Sequence, residues 1–124
     1  MAIDNPREAD QVWMDLFNKG DLDGLLDLYE KDALLVPEPR GTAIVGPEAI
    51  REWMTGFPLR DPQIDLRTHA VHERDAEAIV YSDWTMTGTG DDGPTRMDGQ
   101  AIVMLRRQTD GSWLLAFDDP FAQR

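Results

Sequence analysis

The chain has 124 residues, with 24 Asp and Glu against 12 Lys and Arg, a formal charge of −12. That length fits one domain, expected over residues 1–124, with a core that needs no staples. Cysteine is absent, which excludes disulfides, thiolate metal sites and thiol nucleophiles. Acids and bases are spread evenly: residues 1–62 hold 13 acids and 6 bases, residues 63–124 hold 11 and 6. With no basic face to neutralise phosphates, nucleic acid is not an expected partner. No apolar run approaches the ~20 residues of a membrane span. The opening Met1-Ala2-Ile3-Asp4-Asn5 shows no charged-then-apolar leader, so the expected location is cytoplasmic, away from membranes. The acidity itself reads as a solvated surface. Ten Arg against two Lys suits a GC-rich bacterial genome.

Asn5-Pro6-Arg7-Glu8 reads as a helix start: Asn5 caps, and Pro6 suits the first turn. Ala9, Val12, Trp13, Leu16 and Phe17 then recur at helical spacing, and Gly20 is a left-handed stop. Asp21 caps a second, shorter helix, expected to carry Leu22, Leu25, Leu26 and Tyr29 and to end at Asp32. A short strand follows over 33–36, closed by Pro37 and Pro39. Residues 41–46 form a loop. Pro47 opens a third helix with Ile50, Trp53, Met54 and Phe57 on one side, ended by Gly56 and Pro58.

Beyond Pro62 the character changes. Residues 63–73, 77–88, 95–107 and 112–118 are rich in Val, Ile, Thr and aromatics. Arg74-Asp75, the 88–93 glycine-rich stretch and Asp110-Gly111 separate them as hairpin turns. Helices grouped before a four-strand meander predict an α+β fold: a strongly curved antiparallel sheet with three N-terminal helices in its concavity. Such a cone leaves an apolar pocket that sheet and helices cannot fill.

Four segments carry a resemblance: "FNKGDLDGLLDLYEKDA", "VGPEAIREW", "SDWTMTGTG" and "LRRQTDGSWLLAFDDP". Over roughly residues 8–120 the chain resembles the nuclear transport factor 2-like superfamily. Its ketosteroid-isomerase-like and SnoaL-like (polyketide-cyclase-like) branches are the nearest. The resemblance implies an α+β cone and a homodimer packed through the outer sheet face. Members isomerise, cyclise, hydrate or dehydrate small apolar molecules, and others only bind or assemble. Fold therefore does not settle function. Ketosteroid isomerases use an aspartate base after the first strand, a tyrosine in the first helix and a protonated aspartate on a late strand. A gapless match places Pro37, Trp13 and Val103 there; a slip of one residue brings Glu38-Pro39 to the base position. Trp13 donates one N–H but is no acid, and Val103 offers nothing. Efficient ketosteroid isomerisation is not expected, because losing even one oxyanion donor costs roughly 3–4 kcal/mol.

Two carboxylates remain as candidate general bases. Glu38 serves if burial raises its pKa; otherwise it is a solvated loop residue. Asp118 lies in an apolar strand. The family match points it inward with Leu114 and Ala116, whereas the strand's hydrophobicity points Trp113, Leu115 and Phe117 inward instead. Alternation places Val80, Ser82, Trp84 and Met86 on the pocket face of their strand and sends Asp83 outward. Asp98 and Gln100 share a face with Ile102 and Met104, and Gly99 opposite them marks a bulge or a close approach. His69 and His72 fall on opposite faces of a strand, so no shared metal is expected. Gly88-Thr89-Gly90 with Gly93 imitates a dinucleotide fingerprint but enters a strand, not a helix, and is rejected. One of Arg106 and Arg107 is expected to pair with an acid across a dimer.

Trp13, Phe17, Met54, Phe57 and Trp84 are the expected cavity lining, with Tyr29 and Glu38 as its polar groups. Two readings follow. One is a cofactor-free, metal-free enzyme of the isomerase or lyase type, moving protons on a small apolar carbonyl compound. Glu38 or Asp118 is its base, and Trp13 and Tyr29 orient the substrate. The other is a non-catalytic ligand-binding or dimerisation module.

Overall fold

The computed structural model describes residues 1–122. A 3₁₀ turn at Pro6–Glu8, capped by the Asn5 side chain, runs into α1 (Ala9–Lys19). Gly20 ends α1 at φ 74°, where a Cβ would be strained. The Asp21 carboxylate accepts from Gly24 N and starts α2 (Leu22–Leu26). β1 (Tyr29–Leu35), the two-residue β2 (Ile44–Val45) and α3 (Pro47–Thr55) follow. The long strands β3 (Arg60–Arg74), β4 (Glu77–Gly90) and β5 (Gly93–Arg107) lead to β6 (Trp113–Asp119).

The strands form one six-stranded curved sheet in the order β2-β1-β6-β5-β4-β3. β3 to β6 make the expected antiparallel meander. The sheet is not wholly antiparallel, however. β1 lies parallel to β6, a pairing that the long intervening chain permits.

Tyr29 does not belong to the second helix. α2 stops at Leu26 because the Leu28 carbonyl accepts from Leu115 N (2.7 Å), drawing the chain into the sheet beside β6. The strand after it starts earlier than expected, at Tyr29. The 41–46 loop contains the short β2, which pairs with the end of β1.

The helices pack on the concave side. Leu16, Leu25, Leu35, Ile50, Val80, Leu105 and Trp113 form the main core, sealed by Ile3, which bridges to Trp113 at the N-terminus. Arg106 pairs with Glu30 of its own chain, and Arg107 lies over the Trp113 ring. No helix among the described residues is long and apolar enough to cross a membrane. His69 and His72 are both exposed, and no metal-binding cluster exists among the described residues.

Candidate active site

Between α1, α3 and the concave face of β3 to β6 lies a cavity of about 260 Å³. Its walls include Trp13, Phe17, Met54, Phe57, Trp84 and Phe121. All five apolar residues nominated from the sequence are among them. Trp13 stacks on Phe17 at 5.1 Å, one helical turn along α1. Trp53 meets Phe57 edge-on, and Trp84 meets Phe121 edge-on.

Trp84 is held by two features. Its indole N–H donates to the Pro120 carbonyl at 2.7 Å. Its ring occupies the space over Gly99, its register partner on β5. The glycine thus marks a close approach, since a Cβ there would collide with the ring. Gly99→Ala is expected to lower unfolding free energy by about 1–3 kcal/mol through overpacking. Denaturant unfolding reads the loss, and a displaced Trp84 indole resonance locates it.

Two carboxylates line the cavity. Asp118 is 6% exposed and accepts from the Tyr29 hydroxyl at 2.6 Å. Tyr29 in turn accepts from the Trp13 indole N–H at 3.0 Å. The chain Trp13 to Tyr29 to Asp118 thus joins α1, β1 and β6. Burial pushes the Asp118 carboxyl up to about 6; the Tyr29 bond pulls it down, and the negative charges of Asp119 and Asp10 push it up further. Burial, then the neighbouring Asp118 charge, drives the Tyr29 phenol well above its ordinary value, so it stays a donor.

A β-bulge puts Asp118 in the cavity. Met104 pairs with Phe117, and the next residue, Leu105, pairs with Leu115. Ala116 is therefore the extra residue, and it shifts the alternation by one. Leu115 and Asp118, three apart, both reach the cavity. The two conflicting expectations for this strand each hold on one side of the bulge.

Asp10 is the second carboxylate, and the sequence reading did not single it out. It is 9% exposed and accepts from Ser82 (2.5 Å) and Thr68 (2.6 Å), both on Oδ2. A signal existed: Asp10 stands three residues before Trp13 and seven before Phe17, on the buried stripe of α1. Ser82 was the matching mark, a hydroxyl in the inward row of β4.

The other nominated residues lie elsewhere. Glu38 is exposed on the turn before Gly41 and does not line the cavity. Tyr29 is not a lining residue either; it stands behind Asp118 with its hydroxyl committed to that carboxylate. Asp83, Asp98 and Gln100 are on the outer sheet face, where Asp98 accepts from Thr85.

Residues 11–116 match the family model described as the SnoaL-like domain. Among solved structures, a ketosteroid isomerase-like protein from Erwinia carotovora atroseptica SCRI1043 is 23% identical. It superposes with a TM-score of 0.77 over 91% of this chain and 89% of that one. A nuclear transport factor 2-like superfamily protein from Salmonella enterica serovar Typhimurium LT2 is 17% identical, with a TM-score of 0.77 over 94% and 88% of the two chains. A conserved protein from Planctomyces limnophilus DSM 3776 is 18% identical, with a TM-score of 0.80 over 93% and 91%. These identities speak for the fold alone. No curated protein matches the sequence. With its family model spanning most of its length and its curved sheet cupping three helices, the chain belongs to the SnoaL-like family, a branch of the nuclear transport factor 2-like superfamily.

Proposed function

We propose that the protein is a small-molecule pocket protein in which Asp118 moves a proton on a small apolar carbonyl compound, as in isomerisation, cyclisation or dehydration. One observation carries this reading. A carboxyl with a pKa raised to about 6 lines an apolar cavity and is oriented by a two-member hydrogen-bond chain. A desolvated carboxylate tuned toward neutral pH is suited to general base work. Ionised Asp118 takes a proton from the carbon next to the carbonyl, and the C–H pair moves into the enolate. The acid so formed returns the proton to the same carbon or to a conjugated one. Tyr29 and Trp13 position the base and donate no hydrogen bond to the substrate, because their donors are already used. The test is hydrogen–deuterium exchange next to the carbonyl of 1-indanone and 1-tetralone, followed by NMR in D2O. Enzyme-dependent exchange supports the reading. Ketones that shift the Trp84 indole resonance, yet exchange only at the buffer rate, would sink it.

That second outcome is what a non-catalytic binding module gives. A specific feature favours it as the second reading: among the described residues no lining side chain has an uncommitted N–H or O–H for a developing oxyanion, except the Asp10 and Asp118 carboxyls when protonated.

The proposed assembly is a homodimer through the outer sheet face. Leu34, Phe117, Met104 and Ile79 occupy one register row across β1, β6, β5 and β4, with Tyr81 and Ile102 beside them. Leu34 is 39% and Ile79 37% exposed, making an apolar row that water covers poorly. Sedimentation equilibrium at micromolar concentration should give a dimer for the wild type and a monomer for Met104→Glu. A monomeric wild type would remove the proposed interface.

A further inference from the structure

Among the described residues, four side chains on the cavity wall carry an N–H or O–H donor besides the carboxyl groups, and each is spent within the protein. Trp13 donates to Tyr29 and Trp53 to the Pro37 carbonyl (3.1 Å). Thr55 donates to the Glu52 carbonyl (3.1 Å), and Trp84 to that of Pro120. The polar groups left facing the space are Asp10 and Asp118. Both accept hydrogen bonds when ionised, and among the described residues no Lys, Arg or His is on the wall to balance them.

We propose that the occupant of this cavity is an apolar molecule carrying a protonated amine. The inference rests on the pocket reading above and names the polar group of its ligand. A ketone or an ether brings only acceptors to a wall whose remaining polar groups are acceptors. Its binding desolvates the carboxylates and gives nothing back. A carboxylate or phosphate adds like charge in a site of low dielectric. An ammonium group supplies the missing countercharge and up to three donors, and its bonds to carboxylates are charge-assisted. The walls suit the same cation: Trp13, Phe17, Trp84 and Phe121 present ring surface to a cationic head or its apolar body. The net charge of −12 steers ligands in the same sense, drawing cations and repelling anions. Where the substrate is also the carbonyl compound proposed above, Asp10 holds the amine and Asp118 faces the reacting carbon.

Three probes of one skeleton test this at pH 7.5: 2-phenylethylamine, 2-phenylethanol and phenylacetate. Isothermal titration gives their affinities. The indole N–H resonances of Trp13, Trp53 and Trp84 report the site, and Trp113, in the main core, is the internal control. The amine is expected to bind at least about tenfold tighter than the alcohol, as a charge-assisted bond to a buried carboxylate implies. Phenylacetate is expected to bind weakest of the three. Asp10→Asn keeps an oxygen acceptor for Ser82 and Thr68 and removes one of the two carboxylates, so it should shrink the preference for the amine over the alcohol. Equal affinity of amine and alcohol, or preference for phenylacetate, overturns the inference and leaves the pocket reading standing. Failure of all three to move the three indole resonances overturns the pocket reading together with the inference. The wild-type ranking decides the matter even where the variant does not fold.

Discussion

Asp118→Asn is expected to lose at least about a hundredfold in exchange next to a ketone carbonyl, the lower end of what a positioned general base contributes. The substitution is nearly isosteric, and the asparagine side-chain oxygen still accepts from Tyr29. The hydrogen-bond chain from Trp13 and the cavity shape should therefore persist, and ketone binding should stay within a few-fold of wild type. The loss belongs in turnover, because the interaction removed exists only while the proton moves. Glu38→Gln provides the contrast, since Glu38 lies exposed outside the cavity. Its expected exchange rate is that of the wild type. An Asp118→Asn protein that exchanges at the wild-type rate would remove Asp118 from the chemistry. A Glu38→Gln protein that loses the activity would return the base role to the loop.

The sequence was legible where one periodicity ran without interruption. α1, α3, β4 and β5 follow from unbroken 3.6 or 2.0 spacing, and the turns between the strands from Asp75, the 88–93 stretch and Asp110-Gly111. Trp13, Phe17 and Trp84 followed as cavity walls for the same reason. The failures fall where tertiary contacts override local pattern. Tyr29 continues the apolar stripe of α2, but the Leu28 to Leu115 bond pulls it into the sheet. The face of Asp118 depended on a single extra residue, Ala116, and neither composition nor turn chemistry marks a bulge there. Asp10 departs from the rule that an acid in the first turn of a helix faces solvent and complements the helix dipole. Here it faces inward, and the two hydroxyls that make its burial tolerable come from strands 58 and 72 positions away. Such a partnership becomes visible only once the sheet has brought its strands under the helix.

The carboxyl that serves chemistry should also cost stability, with a sign opposite to that of an ordinary salt-bridged aspartate. The folded value is raised to about 6 from an ordinary 3.8. Below 3.8 both states hold the proton and the full contribution to stability is present. Between 3.8 and about 6 only the folded state holds it, so unfolding free energy falls as pH rises, and above the folded value the loss is complete. That interval corresponds to on the order of 3 kcal/mol at about 1.4 kcal/mol per pH unit. Repulsion within a chain of net charge −12 also grows with pH, so the wild-type curve alone does not isolate Asp118. The difference between wild type and Asp118→Asn does, because the asparagine stays neutral throughout. The two proteins should have similar unfolding free energies near pH 3.5, and the variant should be the more stable at pH 8. Tyr29→Phe should act in the opposite direction. It removes the bond that lowers the Asp118 value, so the fall in stability should begin from a lower baseline and extend to higher pH. Urea unfolding from pH 3.5 to 8 on the three proteins measures all of this. Parallel wild-type and Asp118→Asn curves would mean that Asp118 titrates normally in the fold, and with that the case for a tuned base in this cavity would lapse.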